Sequence, residues 1–284
     1  MLIIVGFVVV IGSVLGGFVL EGGQAMALYQ PMELLIIGGA ALGALLVMTP
    51  VPVLKDLVRQ VMKRLGPGYS RKDFMDLMVM LYEIFNIARR EGLVGLESHI
   101  EKPYESETMK NYPSFLKNHH AVGFMSDTMR LIITGSVQPH ELEALLDTDL
   151  ETHKEEVNLG PNILGTVADS FPGLGIVAAV LGVVITMSVI NGPAEVIGHK
   201  VAAALVGTFL GVLLCYGFAG PLSKSLIVRN ESDSMYMACL KQCLLAFCKG
   251  FPPSIAVEYG RRSIPGETRP GFIELEEACK NTRK

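Results

Sequence analysis

Four stretches of this chain stay apolar for about twenty residues, the length a helix needs to cross a hydrocarbon layer of roughly 30 Å. The first covers residues 1–20 and has no charge. The second runs from Leu34 to Leu54 and is closed by Pro50 and Pro52; the third, Phe171–Ile190, is again uncharged; the fourth, Val201–Leu222, is followed by Lys224. Elsewhere the pattern changes to a helical period with a polar face. Ser70 and Asp73 form a capping arrangement ahead of Phe74, Leu77, Met78, Leu81, Ile84, Phe85 and Ala88. Arg89 and Arg90 fall in the last turn, where cations suit the dipole, and Gly92 supplies a stop. Further helices are predicted over Phe115–Thr134, over His140–Glu156 behind Pro139, over Arg229–Lys249 as a continuation of the fourth stretch, and over Phe272–Lys280. No run alternates with the period of a strand, and no internal repeat is visible.

Composition agrees with lipid exposure. Of 284 residues, 50% are apolar and only 18% charged, against about 25% charged in an ordinary soluble domain. A net charge of −4 gives no electrostatic reason to expect nucleic acid. The basic residues are unevenly placed. None lies between the first and second apolar stretches and only Lys200 between the third and fourth, whereas segment 55–162 holds 13 and segment 224–284 holds 10. By the positive-inside tendency both long segments, and so both termini, are expected in the cytoplasm. A secretory signal at the start is not expected, because no Lys or Arg precedes the apolar run and no small-residue cleavage pattern ends it. The expected fold is an all-α integral membrane protein. Transmembrane hairpins at 1–54 and 169–226 flank a helical cytoplasmic domain at 55–168, and cytoplasmic helices fill 227–284.

Candidate chemistry is sparse. The chain has no P-loop, GxSxG, HExxH or GxGxxG pattern, so no enzyme activity, cofactor or catalytic residue is expected. Its five cysteines form no CxxC pair and no zinc-like spacing with histidine, and His119–His120 reads as surface; no metal site is expected. Asp169, just before the third stretch, fits either a solvated helix cap or a group lining a polar path. Pro172, three residues on, suits a first helical turn. Pro221 comes after some twenty helical residues with charged helix beyond, where it should loosen the chain. With antiparallel spans both prolines fall on the cytoplasmic side and suggest a hinge. Thr208 either returns its hydroxyl to its own backbone or faces a water-lined path. Gly207 and Gly211 form a small-xxx-small pair, as do Gly12 with Gly16 and Gly39 with Gly43. Arg89, Arg90, Glu91 and Glu97 cluster where the first cytoplasmic helix ends. No carboxylate lies deep in any of the four stretches, so the chain alone is not expected to conduct.

Together these segments resemble the MotA/TolQ/ExbB proton-channel family, and within it the MotA-type flagellar stator subunits. "DSFPGLGIVAAVLGVV" at 169–184 and "VGTFLGVLLCYGFAGPLS" at 206–223 resemble that group's two pore-forming helices. "ARREGLVGLESHIEKP" at 88–103 resembles its rotor-facing loop, and "ALYQPMELLIIGGAALG" at 27–43 and "RPGFIELEE" at 269–277 also match. The resemblance implies a five-subunit ring in the bacterial inner membrane around MotB-like single-span chains, whose own carboxylate binds the travelling ion. It implies contact of Arg89, Arg90 and Glu97 with the rotor protein FliG, an ion path past Asp169 and Thr208, and coupling of that path to motion through Pro172 and Pro221. Sodium-type relatives resemble this chain but carry two adjacent threonines where it has Gly207 and Thr208, which implies a proton as the ion. The alternatives are a TolQ- or ExbB-like subunit energising envelope or transport machinery, and a small-molecule transporter or scaffold. TolQ and ExbB relatives lack the first hairpin and the 88–103 loop, and the two hairpins show no similarity that would suggest an inverted transporter repeat.

Overall fold

The computed structural model describes residues 2–64, 66 and 68–282; Met1, at the start of the first apolar stretch, lies outside them. In chain order the helices are α1 (Leu2–Leu20), α2 (Pro31–Met48), α3 (Val51–Arg64), α4 (Arg71–Glu91), the short α5 (Glu97–Glu101), α6 (Glu107–Lys110) and α7 (Pro113–Leu116), then α8 (His119–Thr134), α9 (Pro139–Met187), α10 (Ala194–Leu213), α11 (Gly220–Cys248), α12 (Pro253–Ser263) and α13 (Phe272–Asn281). Single 3-10 turns sit at Ala25–Leu28 and Leu93–Leu96, and a π-helical stretch, Leu214–Ala219, joins α10 to α11. No strand occurs among the described residues. Among the described residues, four helical segments are long and apolar enough to cross a membrane: Leu2–Leu20, Ala25–Met48, Pro139–Met187 and Ala194–Cys248.

Contacts divide the chain into two units. One contains the residues up to Gly66 and Glu156–Arg229; the other contains the residues after Gly66 up to Glu155, and those from Asn230 on. The sequence reading drew its boundaries at 54/55, 168/169 and 226/227. Side chains of α3 explain why residues just after 54 and just before 168 group with the spanning helices. Leu57 of α3 is buried and lies against Gly160 of α9. Gln60 Nε2 donates to the Val157 carbonyl at 2.9 Å, and Arg64 Nε donates to the Ser225 carbonyl at 3.1 Å.

The unit of spanning helices has few buried residues in α1 and α2. None of α1 is buried, and only Glu33, Ile37 and Ala41 are buried in α2. These helices present apolar side chains outward, as a lipid-facing surface requires. The second unit has an ordinary globular core. Phe74, Leu77, Met78, Leu81, Ile84 and Phe85 of α4 pack with Tyr236, Leu240 and Leu244 of α11, with Ala256 and Val257 of α12, and with Leu275 of α13. Stacked ring pairs Tyr69–Tyr236 (4.1 Å) and Phe85–Phe247 (4.3 Å) lie at this core. Lys241, buried among these helices, is matched by Asp147 at 2.5 Å, which spares an unpaired interior charge.

Two expectations are corrected. The separate helices at His140–Glu156 and Phe171–Ile190 are parts of one 49-residue helix, α9, about 74 Å long. Pro161 and Pro172 both lie inside it. Proline leaves the carbonyl four residues back without its helical partner, and for Pro161 that carbonyl is Val157, which Gln60 satisfies. The single apolar stretch Leu34–Leu54 is instead two helices. A break at Thr49–Pro50 ends α2, and α3 follows as an amphipathic helix carrying Lys55, Arg59 and Lys63.

Candidate functional site: a glycine seam between two spanning helices

Antiparallel α9 and α10 approach each other through residues with little or no side chain. A Cβ added at Gly175 of α9 would lie 2.8 Å from the Gly207 carbonyl, 3.1 Å from Gly211 Cα and 3.3 Å from Thr208 Cα of α10. One added at Gly182 would lie 2.7 Å from Ala204 Cβ, and one at Gly207 would lie 3.3 Å from Ala178 Cβ. The pairs 175/211, 178/207 and 182/204 form one continuous seam. Inside a bilayer, where burial from water drives little, such close backbone approach supplies the dispersion that holds helices together.

Thr208 is half-buried beside this seam. Thr186 of α9 returns its hydroxyl to the Gly182 carbonyl at 2.8 Å, and Thr166 does the same to Asn162 at 3.2 Å. No such back-bond is present for Thr208 among the described residues. Asp169 is exposed on α9, in mid-helix; the helix-cap alternative is therefore removed. Pro172 likewise is not in a first helical turn but in the interior of α9. Pro221 is the second residue of α11, directly after the π-helical stretch Leu214–Ala219. A wider turn accommodates a ring that would collide with the Gly217 carbonyl in a regular α-helix. A third proline, Pro161, was not singled out from the sequence. Its own carbonyl accepts from the buried Ser223 Oγ of α11 at 2.8 Å. A proline flanked by "NLG" and "NIL" was the available signal.

The charged cluster of the second unit is built by local capping. Asp73 Oδ2 accepts from Ser70 N–H at 2.7 Å, completing the predicted capping box at the start of α4. Gly92 ends it with φ +79°, a left-handed value that favours glycine. Arg89, Arg90, Glu91 and Glu97 are all exposed, on either side of the Leu93–Leu96 turn, and none of the four makes an ion pair among the described residues. Arg90 also lines a polar cavity of about 320 Å³ with Glu83, Asn86, Glu107 and Asn111. Burial pushes the Glu83 carboxyl above its usual range, against a hydrogen bond from Tyr112 that lowers it. His119 of the adjacent histidines accepts or donates with Tyr104 Oη at 2.5 Å, and His120 stacks on His153.

Two family models match the chain. Residues 4–92 match the family described as "Motility protein A N-terminal", and residues 116–238 match the "MotA/TolQ/ExbB proton channel family". "Motility protein A" of Salmonella typhimurium is 43% identical over 284 residues, covering all of this chain and 96% of that protein. The protein of the same name in Escherichia coli is 42% identical over 288 residues, covering 100% and 98%. Among solved structures, "Structure of C. jejuni MotAB" superposes with a TM-score of 0.75 at 20% identity, over 93% of this chain and 96% of that one, a likeness of fold. On full-length identity to these relatives, this chain belongs to the Motility protein A family, within the MotA/TolQ/ExbB proton-channel proteins, and is a membrane protein.

Proposed function

We propose that this chain is the MotA-type subunit of a flagellar stator which, with a MotB partner, couples proton flow across the inner membrane to torque on the rotor. The observation that carries the reading is identity above 40% along the whole length with two proteins named Motility protein A. The match of residues 4–92 to the Motility protein A N-terminal family covers the first hairpin, which favours a stator subunit over a TolQ- or ExbB-like one. The MotAB composition of the similar solved structure supports a MotB partner. Five copies around the MotB chains, both termini in the cytoplasm and contact of Arg89, Arg90 and Glu97 with FliG complete the proposal.

The ion is a proton in this reading. A sodium ion needs several oxygen ligands, and a threonine at position 207 would push its side chain into Glu33 Oε2 and Ala178. A single hydroxyl at Thr208 with one partner-borne carboxylate suits a proton and water. One charge crossing 100 mV releases about 2.3 kcal/mol, enough to bias a ring among near-equivalent packings. The torque itself is electrostatic and conformational: neutralising the partner's carboxylate alters its seat against α9 and α10, and Pro172 and Pro221 let that change spread along α9 and from α10 into α11.

Co-expression with a MotB-type partner in a strain lacking stators should restore rotation, and liposomes holding both chains should pass protons. Liposomes holding this chain alone should pass none. Proton flux from this chain alone, or failure of the pair to turn a rotor, overturns the reading.

A further inference from the structure

In the sequence Glu33 lies one residue ahead of the apolar stretch that begins at Leu34 and carries no signal of its own. In the structure α2 starts at Pro31, and Glu33 stands in its first turn with only 8% of its surface exposed. Its Oε2 is buried without a hydrogen-bond partner. That oxygen points at the bare Cα of Gly207: a Cβ built there would sit 2.8 Å from it. The neighbouring polar group is not used to quench it, since Gln30 Nε2 donates to the Ala27 carbonyl at 3.2 Å and gives α2 no side-chain cap.

Two forces act on this carboxyl in opposite directions. The amino end of α2 favours a negative charge. Loss of water without a compensating donor favours the neutral acid, because an unpartnered buried charge is expensive. A structural role would call for neither arrangement; a capping glutamate would bond a free N–H, and a packing residue would be apolar. A buried, unpartnered carboxyl in a spanning segment, set against the bare backbone of Gly207, has the geometry of a proton-carrying site.

We propose that Glu33 is a proton-binding site on the outward half of the ion path. This rests on the stator reading above and on the orientation that the basic residues give, in which the Ala25–Leu28 turn and the start of α2 face outward. The carboxylate takes a proton from hydronium on that side, forming the O–H bond at Oε2 and leaving water. It then gives the proton, through water, to the partner-borne carboxylate beyond Thr208 and returns to its anionic form, so one positive charge moves inward per cycle. The absence of a side chain at Gly207 keeps the route from Oε2 to the seam open.

The test uses the complete complex with its MotB partner in a strain lacking stators, with bead rotation at low load measured across external pH at constant total driving force. Glu33→Gln keeps the shape and removes the proton. Its low-load speed should fall at least about threefold, well within the ~100-fold that a positioned proton-transfer group can supply, and should depend more steeply on external pH. Glu33→Asp should restore the wild-type pH profile, even at reduced speed. Gly207→Ala, which sets a methyl against Oε2, should resemble Glu33→Gln. Difference infrared spectra of the purified complex should contain a protonated-carboxyl band that Glu33→Gln removes. A Glu33→Gln complex with wild-type speed and pH profile overturns the proposal. So does an equal slowing at every pH with the band intact, which assigns the residue to packing. If the unmodified complex turns no rotor, it is the stator reading that fails.

Discussion

The seam makes a quantitative claim that a single methyl group can test. In Gly211→Ala the new Cβ would lie 2.5 Å from the Phe171 carbonyl oxygen and 2.9 Å from Gly175 Cα. Both atoms belong to backbone, so neither can swing away, and ordinary contact is about 3.5 Å. The helices must therefore part by roughly 1 Å, a gap that forfeits a quarter to a half of each contact's attraction along the seam. Overpacking of this kind costs typically ~1–3 kcal/mol, and alanine returns at most about 1 kcal/mol of helix propensity relative to glycine. The net loss of up to about 2 kcal/mol is a factor of up to roughly 30 between alternative packings. Gly198→Ala, on the same helix but with nothing within 4 Å of the new Cβ, is the matched control and should be neutral or slightly stabilising. Thermal melting of the detergent-purified complex, together with swimming speed, reads both effects. Gly211→Ala should lower the melting temperature and impair motility while Gly198→Ala does neither. If the two variants behave alike, the seam does not hold the helices together and the close approach at Gly211 carries no energetic weight.

Other substitutions separate stability from motion. Pro221→Ala restores an N–H for the Gly217 carbonyl and removes the ring that the π-helical stretch accommodates; with proline ~3 kcal/mol worse than alanine inside a helix, the variant should melt at higher temperature yet rotate poorly, and normal rotation would leave the proline as mere punctuation. Arg89→Glu and Glu97→Lys exchange exposed, unpaired charges, each worth only ~0–1 kcal/mol. Both should nevertheless reduce swimming and be rescued by a reversed charge on the rotor; normal swimming by each, or no rescue, moves the torque contact elsewhere. Glu258 accepts from Arg261 at 2.6 Å and from Arg262 at 2.9 Å, and side-chain exposures of 15% for Glu258 and 12% for Arg261 put that pair out of most solvent. Arg261 holds the Glu258 carboxyl below its ordinary 4.5, so its stabilisation is present above that value and is lost as pH falls through the lowered one. Glu258→Gln should cost about 2–3 kcal/mol at neutral pH by removing the charged acceptor of Arg261 and should flatten the acid limb of the melting curve; an unchanged acid limb refutes that assignment.

The elements readable from the sequence are those whose causes are local. Helix α4 was predicted nearly to the residue because Ser70, Asp73 and Gly92 act within a few positions of its ends and its apolar face repeats at helical spacing. Helix α13, expected over Phe272–Lys280 as a short acidic helix, runs from Phe272 to Asn281. What the sequence could not give is set by partners distant along the chain. Pro172 reads as the start of a helix and Pro161 carries no local signal, because nothing near either replaces a lost helical bond; for Pro161 the replacement is Gln60, ninety-seven residues from Val157. Hydropathy carried the second stretch past Pro50 because Val51, Val53 and Leu54 are apolar, although α3 already belongs to an amphipathic pattern. Helix α12 was missed despite a usable signal, Pro252 and Pro253 ahead of Ile255, Ala256 and Tyr259. Glu33 was beyond such reasoning altogether: its burial depends on a glycine, a residue whose contribution is the space it leaves.

The two units are stabilised by different physics, and the difference bears on where motion is cheap. In the unit built on α4, α12 and α13, large side chains interdigitate around Phe74, Phe85 and Tyr236; displacing any helix there opens cavities, which cost steeply with volume. In the unit of spanning helices the contacts are glycine against backbone along α9 and α10, with a few directed bonds from flexible side chains to carbonyls: Gln60 to Val157, Ser223 to Pro161, Arg64 to Ser225. A flat seam offers little resistance to sliding, because no knob must leave its hole, while a bond from a flexible side chain to a freed carbonyl can lengthen or exchange for water at a cost of only ~1 kcal/mol. Small shifts of α9 against α10 therefore cost far less than rearrangement of the globular core. A change of a few kcal/mol is large enough to move the first and too small to disrupt the second. That disparity lets the spanning helices respond to a single charge while the globular core keeps its shape.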